Sequence, residues 1–473
     1  MMTRHVETPD LLVIGAGAGG LSVAAGAAQL GASVVLLEAR RMGGDCLNWG
    51  CVPSKALIAA ARHAHCQGAG APFGVKPVAP TVDFGAVRQH IRETIATIAP
   101  HDSQERFESM GVRVIRAAGH FVDPRHVAAG GHVFRPRRTV IATGSSPFVP
   151  PIEGLSDVPY LTNETVFDLD TCPAHLLVVG GGPIGLELAG AYRRLGARVT
   201  VIEADRALGR EDPELAAVVT ERMRGEGVEI VEGRTVTRVT GEGGAISATL
   251  SDGRTIAGSH ILVAVGRRPN VGKLGLDAAG IEAGPAGIRV DRGLRTTNRR
   301  VFALGDVVGG PQFTHVAGYH AGIVVRRAVL GLPARVRDDH IPRVTFTDPE
   351  IAAVGLDEVA ARARFGPKVD VIRVPFSDID RAVAERETDG FLKLMVHRGR
   401  PVGVGIVGPH AGELIAPWAL AISAGLRLSQ IAGMIAPYPT LGDIGKRAVS
   451  AHFAPRLFEN RWVRRMVRMV QRF

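Results

Sequence analysis

Two cysteines lie five positions apart in the segment GGDCLNWGCVPSK, residues 43–55. Residues five apart in an ideal helix have Cα atoms about 8–9 Å apart, whereas a disulfide needs roughly 4.4–6.8 Å. Cys46 and Cys51 can therefore bond only across a non-helical turn, which Gly50 makes feasible. A crosslink that closes so short a loop stabilises a protein little. A metal clip would need a complementary Cys-x-x-Cys or His pair, and the sequence offers neither.

The residues after the pair favour a redox role. Pro53 suits the first turn of a helix that continues through KALIAAARHA. A thiol at a helix N-terminus, near the cation of Lys55, has a lowered pKa and stands ready as a thiolate. We therefore interpret Cys46 and Cys51 as a redox pair, with a structural crosslink as the alternative.

Two glycine-rich turns, each between an apolar strand and a helix, have the pattern G-x-G-x-x-G. The strands before them are predicted at residues 11–14 and 176–179, and each unit ends in an acid 23 residues after its first glycine. The residues concerned are Gly15, Gly17, Gly20 and Glu38 in the first unit, and Gly180, Gly182, Gly185 and Glu203 in the second. Such glycines bring backbone amides and a helix N-terminus against a pyrophosphate, and the acid accepts from a ribose hydroxyl. The chain is predicted to bind two dinucleotides; the alternative is a duplication in which one copy binds nothing.

Three further turns follow buried strands. TVIATGSSP, with Thr143 and Gly144, and ILVAVGRRPN, with Gly266, are predicted crossovers between domains. In FALGDVVGG, Asp306 lies on a turn after an apolar strand. It is either a simple turn residue or an acceptor for a sugar-chain hydroxyl.

Composition narrows the class of protein. The chain has 473 residues, enough for two to four domains, and its 22% of charged residues is ordinary for a globular enzyme. Four cysteines are too few for a secreted disulfide scaffold, and we see neither a signal peptide nor a membrane span, so we expect a cytoplasmic protein. Much of the net charge of +10 comes from residues 456–473, with six arginines and one glutamate. No nucleic-acid motif accompanies that charge, so we expect no nucleic-acid partner.

In this order, the cysteine segment, the two glycine fingerprints, ATGSSP, AVGRRPN and FALGDVVGG resemble the class I pyridine nucleotide–disulfide oxidoreductases. The resemblance extends from Asp10 to Lys446. It implies FAD on the first fingerprint, closed over by Asp306, and NADH or NADPH on the second. It further implies that hydride runs from the nicotinamide to the flavin and that electrons pass on to a Cys46–Cys51 disulfide.

The resemblance also assigns roles to single residues. Cys51 would be the thiol against the flavin, and Cys46 the interchange thiol that meets the substrate. Lys55 and Glu187 would pair beside the flavin and the nicotinamide. A homodimer would complete each active site with residues from the partner subunit.

The fold expected is α/β, with two Rossmann-like dinucleotide-binding domains and a C-terminal α+β dimerisation domain. From about Ile341 the sequence alternates like antiparallel strands and then becomes helical. The predicted boundaries are 1–150 and 273–340 for the FAD-binding domain, 151–272 for the NAD(P)-binding domain, 341–450 for the dimerisation domain and 451–473 for a basic C-terminal helix.

One motif departs from the dithiol-processing members of the family, which carry a His-Pro-Thr acid–base motif followed by a glutamate. In APYPTLGDIGKRA, Tyr438 stands at the histidine position and Asp443 at the glutamate position. A tyrosine, with a reference pKa near 10, is a poor general base at neutral pH. Tyrosine at this position resembles mercuric reductase, although RMVQRF lacks the C-terminal cysteine pair of those enzymes.

We therefore expect a mercuric-reductase-like flavoprotein that reduces a metal ion or a small acceptor, and we assign no resident metal site. Dihydrolipoamide dehydrogenase-type activity and a flavin-binding membrane-partner protein with weak turnover are the alternatives. NADH is favoured over NADPH, because the carboxylate of Glu203 accepts from a 2′-hydroxyl and repels a 2′-phosphate; Arg206 is close enough to soften that preference.

The last residues predict a basic amphipathic helix. Its apolar positions are Phe458, Trp462, Met466, Met469, Val470 and Phe473, and its arginines are Arg461, Arg464, Arg465, Arg468 and Arg472. The apolar stripe either packs on the protein's own dimer or docks on anionic lipid or a membrane partner.

Overall fold

The computed structural model describes residues 6–242 and 245–471. Within these residues the α-helices are α1 (Ala18–Gln29), α2 (Gly44–Asn48), α3 (Cys51–Gly68), α4 (Phe84–Ile98), α5 (Gln104–Ser109), α6 (Pro183–Arg194), α7 (Pro213–Gly225), α8 (Thr314–Ala328), α9 (Glu358–Phe365), α10 (Asp380–Glu385), α11 (Ala411–Leu414), α12 (Ala416–Ser423), α13 (Leu428–Ala432), α14 (Asp443–Phe458) and α15 (Arg461–Val470).

The strands of the same residues are β1 (Val6–Glu7), β2 (Leu11–Ile14), β3 (Val34–Leu37), β4 (Val112–Ile115), β5 (His120–Phe121), β6 (Val127–Ala129), β7 (His132–Phe134), β8 (Arg138–Ile141), β9 (Ser145–Pro147), β10 (Tyr160–Leu161), β11 (His175–Val179), β12 (Arg198–Ile202), β13 (Val228–Val231), β14 (Val236–Glu242), β15 (Ala245–Leu250), β16 (Thr255–Gly258), β17 (His260–Val263), β18 (Arg267–Pro269), β19 (Ala283–Gly284), β20 (Gly287–Ile288), β21 (Val301–Ala303), β22 (Pro342–Thr345), β23 (Glu350–Gly355), β24 (Val369–Pro375), β25 (Phe391–His397) and β26 (Arg400–Gly408).

The chain divides into two compact units. One holds the described residues up to Ala204 together with Arg234–Val336, and the other holds Asp205–Gly233 and the residues from Arg337 onwards. The predicted NAD(P)-binding segment 151–272 thus contributes α7 and β13 to the second unit.

Two parallel sheets organise the first unit. The first has the strand order β21-β8-β2-β3-β4, and the second contains β10-β17-β11-β12 in that order. Leu11–Ile14 and Val34–Leu37 are buried along their whole length, as expected of parallel strands whose two faces are both covered. The glycine turns follow β2 and β11 at the carboxyl edges of these sheets, where open parallel sheets bind ligands.

Small residues let α1 pack closely in this unit. A Cβ on Gly19 would lie 2.3 Å from the Leu304 side chain, and one on Gly26 would lie 3.3 Å from Val325 of α8. The resulting core joins the helices to β2, β3 and β8. This packing fixes the N-terminal end of α1, where the first glycine turn enters the helix.

An antiparallel sheet organises the second unit, in the order β22-β23-β26-β25-β24. Its inner face forms a core with α12 and α14, centred on Trp418 and Phe376. Within the described residues, no helix is both long and apolar enough to cross a bilayer.

The basic C-terminal helix expected over 451–473 is divided in the structure: residues 451–458 are the end of α14, and α15 begins at Arg461. Arg472 and Phe473 lie outside the described residues. The apolar side chains of α15 are exposed within the chain: Trp462 is 77%, Met469 61% and Val470 67% accessible. Phe458, predicted as part of the same stripe, is the last residue of α14 and is also exposed.

Candidate active site

The two glycine turns have the same geometry. A Cβ on Gly20 would lie 1.9 Å from the carbonyl oxygen of Gly15, and one on Gly185 would lie 2.0 Å from that of Gly180. Only glycine permits such an approach between helix and turn. By contrast, a Cβ on Gly182 would meet no protein atom within 4 Å. The middle of this turn therefore presents open backbone, as a site for a pyrophosphate requires.

The acid that follows the second strand of each dinucleotide-binding motif accepts a hydrogen bond from the glycine turn of the same motif. Glu38 Oε2 accepts from the backbone amide of Ala16 at 2.7 Å, and Glu203 Oε2 accepts from that of Gly181 at 2.6 Å. Gly17 and Gly182 are the N-caps of α1 and α6 and have extended backbones. The carboxylates thus hold the loop residue before each helix, a function that the spacing alone did not reveal. An ionised carboxylate retains further lone pairs for a ribose hydroxyl.

The two predicted crossovers are joined in space. Asn270 accepts from the Thr143 hydroxyl through its backbone oxygen at 2.8 Å, and its side chain donates back to the Thr143 carbonyl at 2.9 Å. Gly144 (φ +67°) and Gly266 (φ +129°) turn the chain before β9 and β18, which pair antiparallel. The structure therefore brings ATGSSP and AVGRRPN together.

Asp306 lies in a short 3₁₀ turn, Gly305–Val308, after β21. The hydroxyl of buried Ser145 donates to Asp306 Oδ2 at 2.6 Å. Burial raises the pKa of Asp306, and the hydrogen bond from Ser145 partly offsets that effect. The carboxylate is thus held at the carboxyl edge of the first sheet, with lone pairs left for another donor.

The cysteine pair occupies a break between two helices. Cys46 is in α2, Cys51 is the first residue of α3, and Trp49 and Gly50 between them are not helical. This is the non-helical turn that a disulfide requires. No disulfide joins the two cysteines in this structure.

The two thiols are not equivalent. The hydrogen bond from Cys46, with support from the Thr314 hydroxyl and the Lys55 ammonium, lowers the pKa of Cys51 to about 6. The Cys51 Sγ and Thr314 Oγ1 atoms are 3.2 Å apart. The pKa of Cys46 is raised, chiefly because its thiol donates to Cys51 and also because it is partly buried. Cys51 also lies at the N-terminus of an 18-residue helix, where the dipole favours a thiolate. The first proton therefore leaves from Cys51.

Lys55 and Glu187 form the ion pair that the resemblance implies. Lys55 Nζ lies 2.8 Å from Glu187 Oε2, and the glutamate side chain is only 8% exposed. Glu187 is in α6, the helix that follows the second glycine turn. The pair therefore ties the helix that begins at Cys51 to the second dinucleotide unit.

Tyr438 and Asp443 belong to the second unit and each has another partner. The Tyr438 hydroxyl, on a side chain 72% exposed, donates to Asp380 Oδ2 at 2.8 Å, and this bond raises the tyrosine pKa. Asp443 Oδ2 accepts from Arg447 Nε at 3.0 Å. The orienting bond expected from the glutamate position is therefore made by Asp380, which the sequence analysis did not identify.

Sequence reasoning also missed the polar residues that surround the pair. Thr314 is 263 positions away from Cys51, so no local pattern connects them. Ser145 and Arg267 fall inside the quoted turn motifs, which was a usable signal. Asp45, inside the cysteine segment, forms an ion pair with Arg267, Oδ1 to Nη2 at 3.2 Å. In the part of the chain that the structure describes, no group of three or more His, Cys, Asp or Glu side chains is arranged so that it could hold a metal ion.

The geometry agrees with comparisons across known proteins. A model described as pyridine nucleotide-disulphide oxidoreductase matches residues 9–321, and the dimerisation-domain model of the same family matches residues 341–449. This chain belongs to that family. The expected fold is thereby confirmed. The expected function of the chain, an FAD-dependent and NAD(P)H-linked disulfide oxidoreductase, is confirmed as well. The dimerisation domain indicates a homodimer.

Named relatives come from two activities within the family. The chain is 36% identical over 451 residues to the mercuric reductase of Streptomyces lividans, covering 93% of this chain and 95% of the relative. It is also 36% identical over 454 residues to the dihydrolipoyl dehydrogenase of Geobacillus stearothermophilus, covering 94% and 96%.

Two solved structures share the family fold. The Cu(II) complex of the HOCl-induced flavoprotein disulfide reductase RclA from Escherichia coli has a TM-score of 0.84, with 28% identity over 93% of this chain and 99% of the other. LpdA from Mycobacterium tuberculosis has a TM-score of 0.86, with 29% identity over 94% and 100%. Homologues thus include reductases whose names refer to different acceptors.

Proposed function

We propose that this oxidoreductase uses NAD(P)H to reduce a metal ion or another small acceptor, and that Cys46 and Cys51 deliver the electrons. The observation that carries the acceptor class is the hydrogen bond from Tyr438 to Asp380. It occupies the phenol as a donor, so Tyr438 supplies no proton acceptor at neutral pH. Reduction of a metal ion needs electrons and no general base at this position, whereas turnover of a dithiol needs one.

The residues of the two turns fit the family's cofactors. Gly15, Gly17, Gly20 and Glu38, with Thr143, Gly144, Gly266 and Asp306 nearby in the first unit, would hold FAD; Gly180, Gly182, Gly185 and Glu203 would hold NAD(P)H. The chemistry that bound FAD supplies is transfer of two electrons from NAD(P)H to the Cys46–Cys51 disulfide. Open backbone at Gly182 and the close approach at Gly20 support this assignment.

The chain's own residues manage protons and charge around the pair. Cys51 is the thiol that ionises first, and the Lys55 ammonium with the Thr314 hydroxyl stabilises that negative charge. Cys46, whose pKa is raised, ionises after Cys51. Glu187 holds Lys55 in position through the 2.8 Å ion pair.

The deciding experiment is steady-state oxidation of NADH and NADPH with different acceptors: Hg(II), Cu(II), oxidised lipoamide, glutathione disulfide and quinones. Each NADH supplies two electrons, enough to reduce Hg(II) to Hg(0) or one disulfide to two thiols. We expect kcat/KM for a metal ion or a quinone to exceed that for lipoamide at pH 7. Faster lipoamide turnover would replace this proposal with the second candidate, dihydrolipoyl dehydrogenase activity, which the Geobacillus relative supports.

For the coenzyme, we propose NADH. The Glu203 carboxylate lies after β12 and closes on the glycine turn, and a negative charge there repels a 2′-phosphate. Arg206, three residues on, would attract that phosphate and is the residue to replace first. A higher kcat/KM with NADPH that disappears in Arg206→Ala would show that the arginine sets the preference.

For the assembly, we propose a cytoplasmic homodimer in which Tyr438 and Asp443 complete the partner subunit's site. The match to a dimerisation domain supports the dimer. Mixing wild-type chains with inactive Cys51→Ser/Tyr438→His chains tests the shared site, because only a site completed by the partner subunit would bring the new histidine to the intact cysteines. Heterodimers whose lipoamide turnover exceeds that of wild type would support it, and mixtures that keep the wild-type rate after verified subunit exchange would refute it.

For the C-terminal helix, we propose that its apolar face packs within the dimer. Its exposed apolar side chains, among them Trp462 and Met469, lie opposite its arginines. The alternative is contact with an anionic membrane surface. Co-sedimentation at low salt with anionic and neutral vesicles, for the full chain and for one ending at Pro455, separates the two. If the full chain stays in the supernatant with anionic vesicles, membrane contact is excluded and packing within the dimer is supported.

A further inference from the structure

A continuous chain of polar contacts runs from the Asp306 turn to the helix that carries Cys46. The Ser145 hydroxyl donates to Asp306 Oδ2 at 2.6 Å and accepts from Arg267 Nε at 2.7 Å. Arg267 Nη2 donates to the Ser145 carbonyl at 2.9 Å and lies 3.2 Å from Asp45 Oδ1. Arg267 thus stands between two carboxylates.

The position of Arg267 is fixed by its surroundings. It is the first residue of β18, which pairs with β9 so that Arg267 lies opposite Pro147. Its side chain is only 11% exposed, which is low for an arginine. Because the guanidinium is rigid and donates two hydrogen bonds to Ser145, its orientation toward Asp45 is fixed.

Asp45 and its neighbours anchor both ends of α2. The Asn163 amide donates to Asp45 Oδ1 at 3.2 Å and to the Trp49 carbonyl at 3.1 Å. Asp45 is the second residue of this five-residue helix, and Trp49 follows its end. Cys46 lies between these two anchors, on a helix too short to hold itself in place.

The Asp45 carboxylate is also a charge near the reactive thiol. A Cβ on Gly50, the residue before Cys51, would lie 3.0 Å from Asp45 Oδ2. The groups that act on Cys51 are the Cys46 thiol, the Thr314 hydroxyl, the Lys55 ammonium and the Asp45 carboxylate. Glu187 faces Lys55 from α6. Of these, Asp45 alone is an anion that opposes ionisation of Cys51 directly, and Arg267 is its cationic partner.

We propose that Arg267 is a positioning residue for the redox pair, which holds the helix carrying Cys46 through Asp45 and offsets the negative charge that Asp45 presents to Cys51. The inference rests on the proposed function, in which Cys51 is the thiol beside the flavin. Removal of Arg267 leaves Asp45 uncompensated and makes the Cys51 thiolate harder to form. Removal of the Asp45 charge has the opposite effect.

The test uses FAD-loaded protein with Cys46→Ser, in which Cys51 titrates without its thiol neighbour. The long-wavelength absorbance of a thiolate beside oxidised flavin is followed from pH 4 to pH 9. Added Arg267→Met should raise the midpoint by about one pH unit, a tenfold loss of thiolate below the midpoint. Added Asp45→Asn should lower it, and the two together should return it close to the parent value. Arg267→Lys, which keeps the charge, should stay close to the parent.

Each outcome decides the proposal. A band whose midpoint is unchanged by Arg267→Met, or two single replacements that shift it in the same direction, would overturn the role of Arg267 while leaving the proposed function intact. A parent without any such band would overturn both. If Arg267→Met fails to retain FAD, Asp45→Asn still decides, because an unchanged or higher midpoint there contradicts the charge argument.

Discussion

Lys393 is a buried charged residue of the second unit, and its ion pairs can be tested by replacing it. Its side chain is 3% exposed, and its ammonium lies 2.8 Å from Asp212, 3.0 Å from Glu214 and 2.8 Å from Glu358. Arg373 stands directly opposite on β24 and binds the two glutamates as well. Three carboxylates therefore meet two cations at this point, and only Lys393 reaches Asp212.

Replacement by methionine keeps the length of the side chain and removes the charge. The Asp212 side chain is 8% exposed, so Lys393→Met leaves a buried carboxylate without its cation. Breaking a buried pair in this way costs about 3–5 kcal/mol. Arg373→Met is the matched control: that arginine is 44% exposed, and loss of an exposed pair costs roughly 0–1 kcal/mol.

The assay is hydrogen exchange of the peptide that contains β25, followed by mass spectrometry, because it reports opening of this unit separately from the first. A loss of about 3–5 kcal/mol corresponds to exchange faster by about a hundredfold to several thousandfold. The control should change by about fivefold at most. Equal effects of the two replacements would show that Lys393 is not paired as the structure has it.

The pH dependence has a defined sign. The hydrogen bond from Arg373 lowers the pKa of Glu214 to about 2, and the bond from Lys393 lowers that of Glu358. A carboxyl whose pKa is lower in the folded state stabilises the protein above its unfolded pKa, and that contribution is lost as the pH falls toward the folded pKa. In Lys393→Met the pKa of Glu358 rises toward its unfolded value. The variant therefore loses less folding free energy than wild type when the pH falls. The difference between variant and wild type should therefore shrink from pH 6 to pH 3, and a gap that widens would contradict the argument.

Three further results are expected. Cys51→Ser should abolish the long-wavelength thiolate–flavin absorbance of the reduced protein, whereas Cys46→Ser should show it without any reductant; the reverse behaviour would exchange the assigned roles. Gly182→Ala should leave the melting temperature almost unchanged, because its new Cβ meets no protein atom. It should raise KM for NADH about tenfold, since the methyl group projects into the turn that faces the pyrophosphate. The control Gly318→Ala, whose Cβ is equally free of protein contacts, should leave KM for NADH unaltered. Glu203→Ala should narrow the ratio of kcat/KM for NADH over NADPH, and a ratio that grows would exclude a repulsive role for this acid.

Local pattern predicted the turns well. β2 has the predicted bounds and β11 begins one residue earlier than predicted, because a continuous apolar run that ends at a glycine leaves little choice of where the strand stops. A disulfide between the cysteines needs a non-helical turn, which Gly50 makes feasible, and the structure has that turn between α2 and α3. What spacing could not supply was the partner of each acid. Glu38 and Glu203 accept hydrogen bonds from backbone amides of their own glycine turns. Whether such a bond forms depends on the distance between the end of the strand before the acid and the start of the helix after the turn.

Contacts between distant segments were harder to predict. Chain order assigned residues 205–233 to the NAD(P)-binding domain, whereas they pack with the residues after Arg337. The reason is visible in Asp212 and Glu211, which bind Lys393 and Arg343 more than 130 positions away. Opposite charges far apart in sequence leave no periodic signal, so such pairs are found only when the fold is known.

The Tyr438-Pro439-Thr440 motif bears directly on the class of acceptor that we propose. A histidine before Pro439 would exchange a proton near neutral pH, and the following carboxylate would orient it. In this chain Tyr438 donates to Asp380, which raises the phenol pKa further from neutrality, and Asp443 is engaged by Arg447. Both positions that would form an acid–base couple are thus committed elsewhere. The protons that a dithiol gives up on oxidation, or that a disulfide takes up on reduction, would have to be exchanged with water, whereas a metal ion that accepts two electrons needs no proton from this motif. Tyr438→His should therefore raise lipoamide turnover without a matching gain for Hg(II), and equal gains with both acceptors would show that the tyrosine does not select between them.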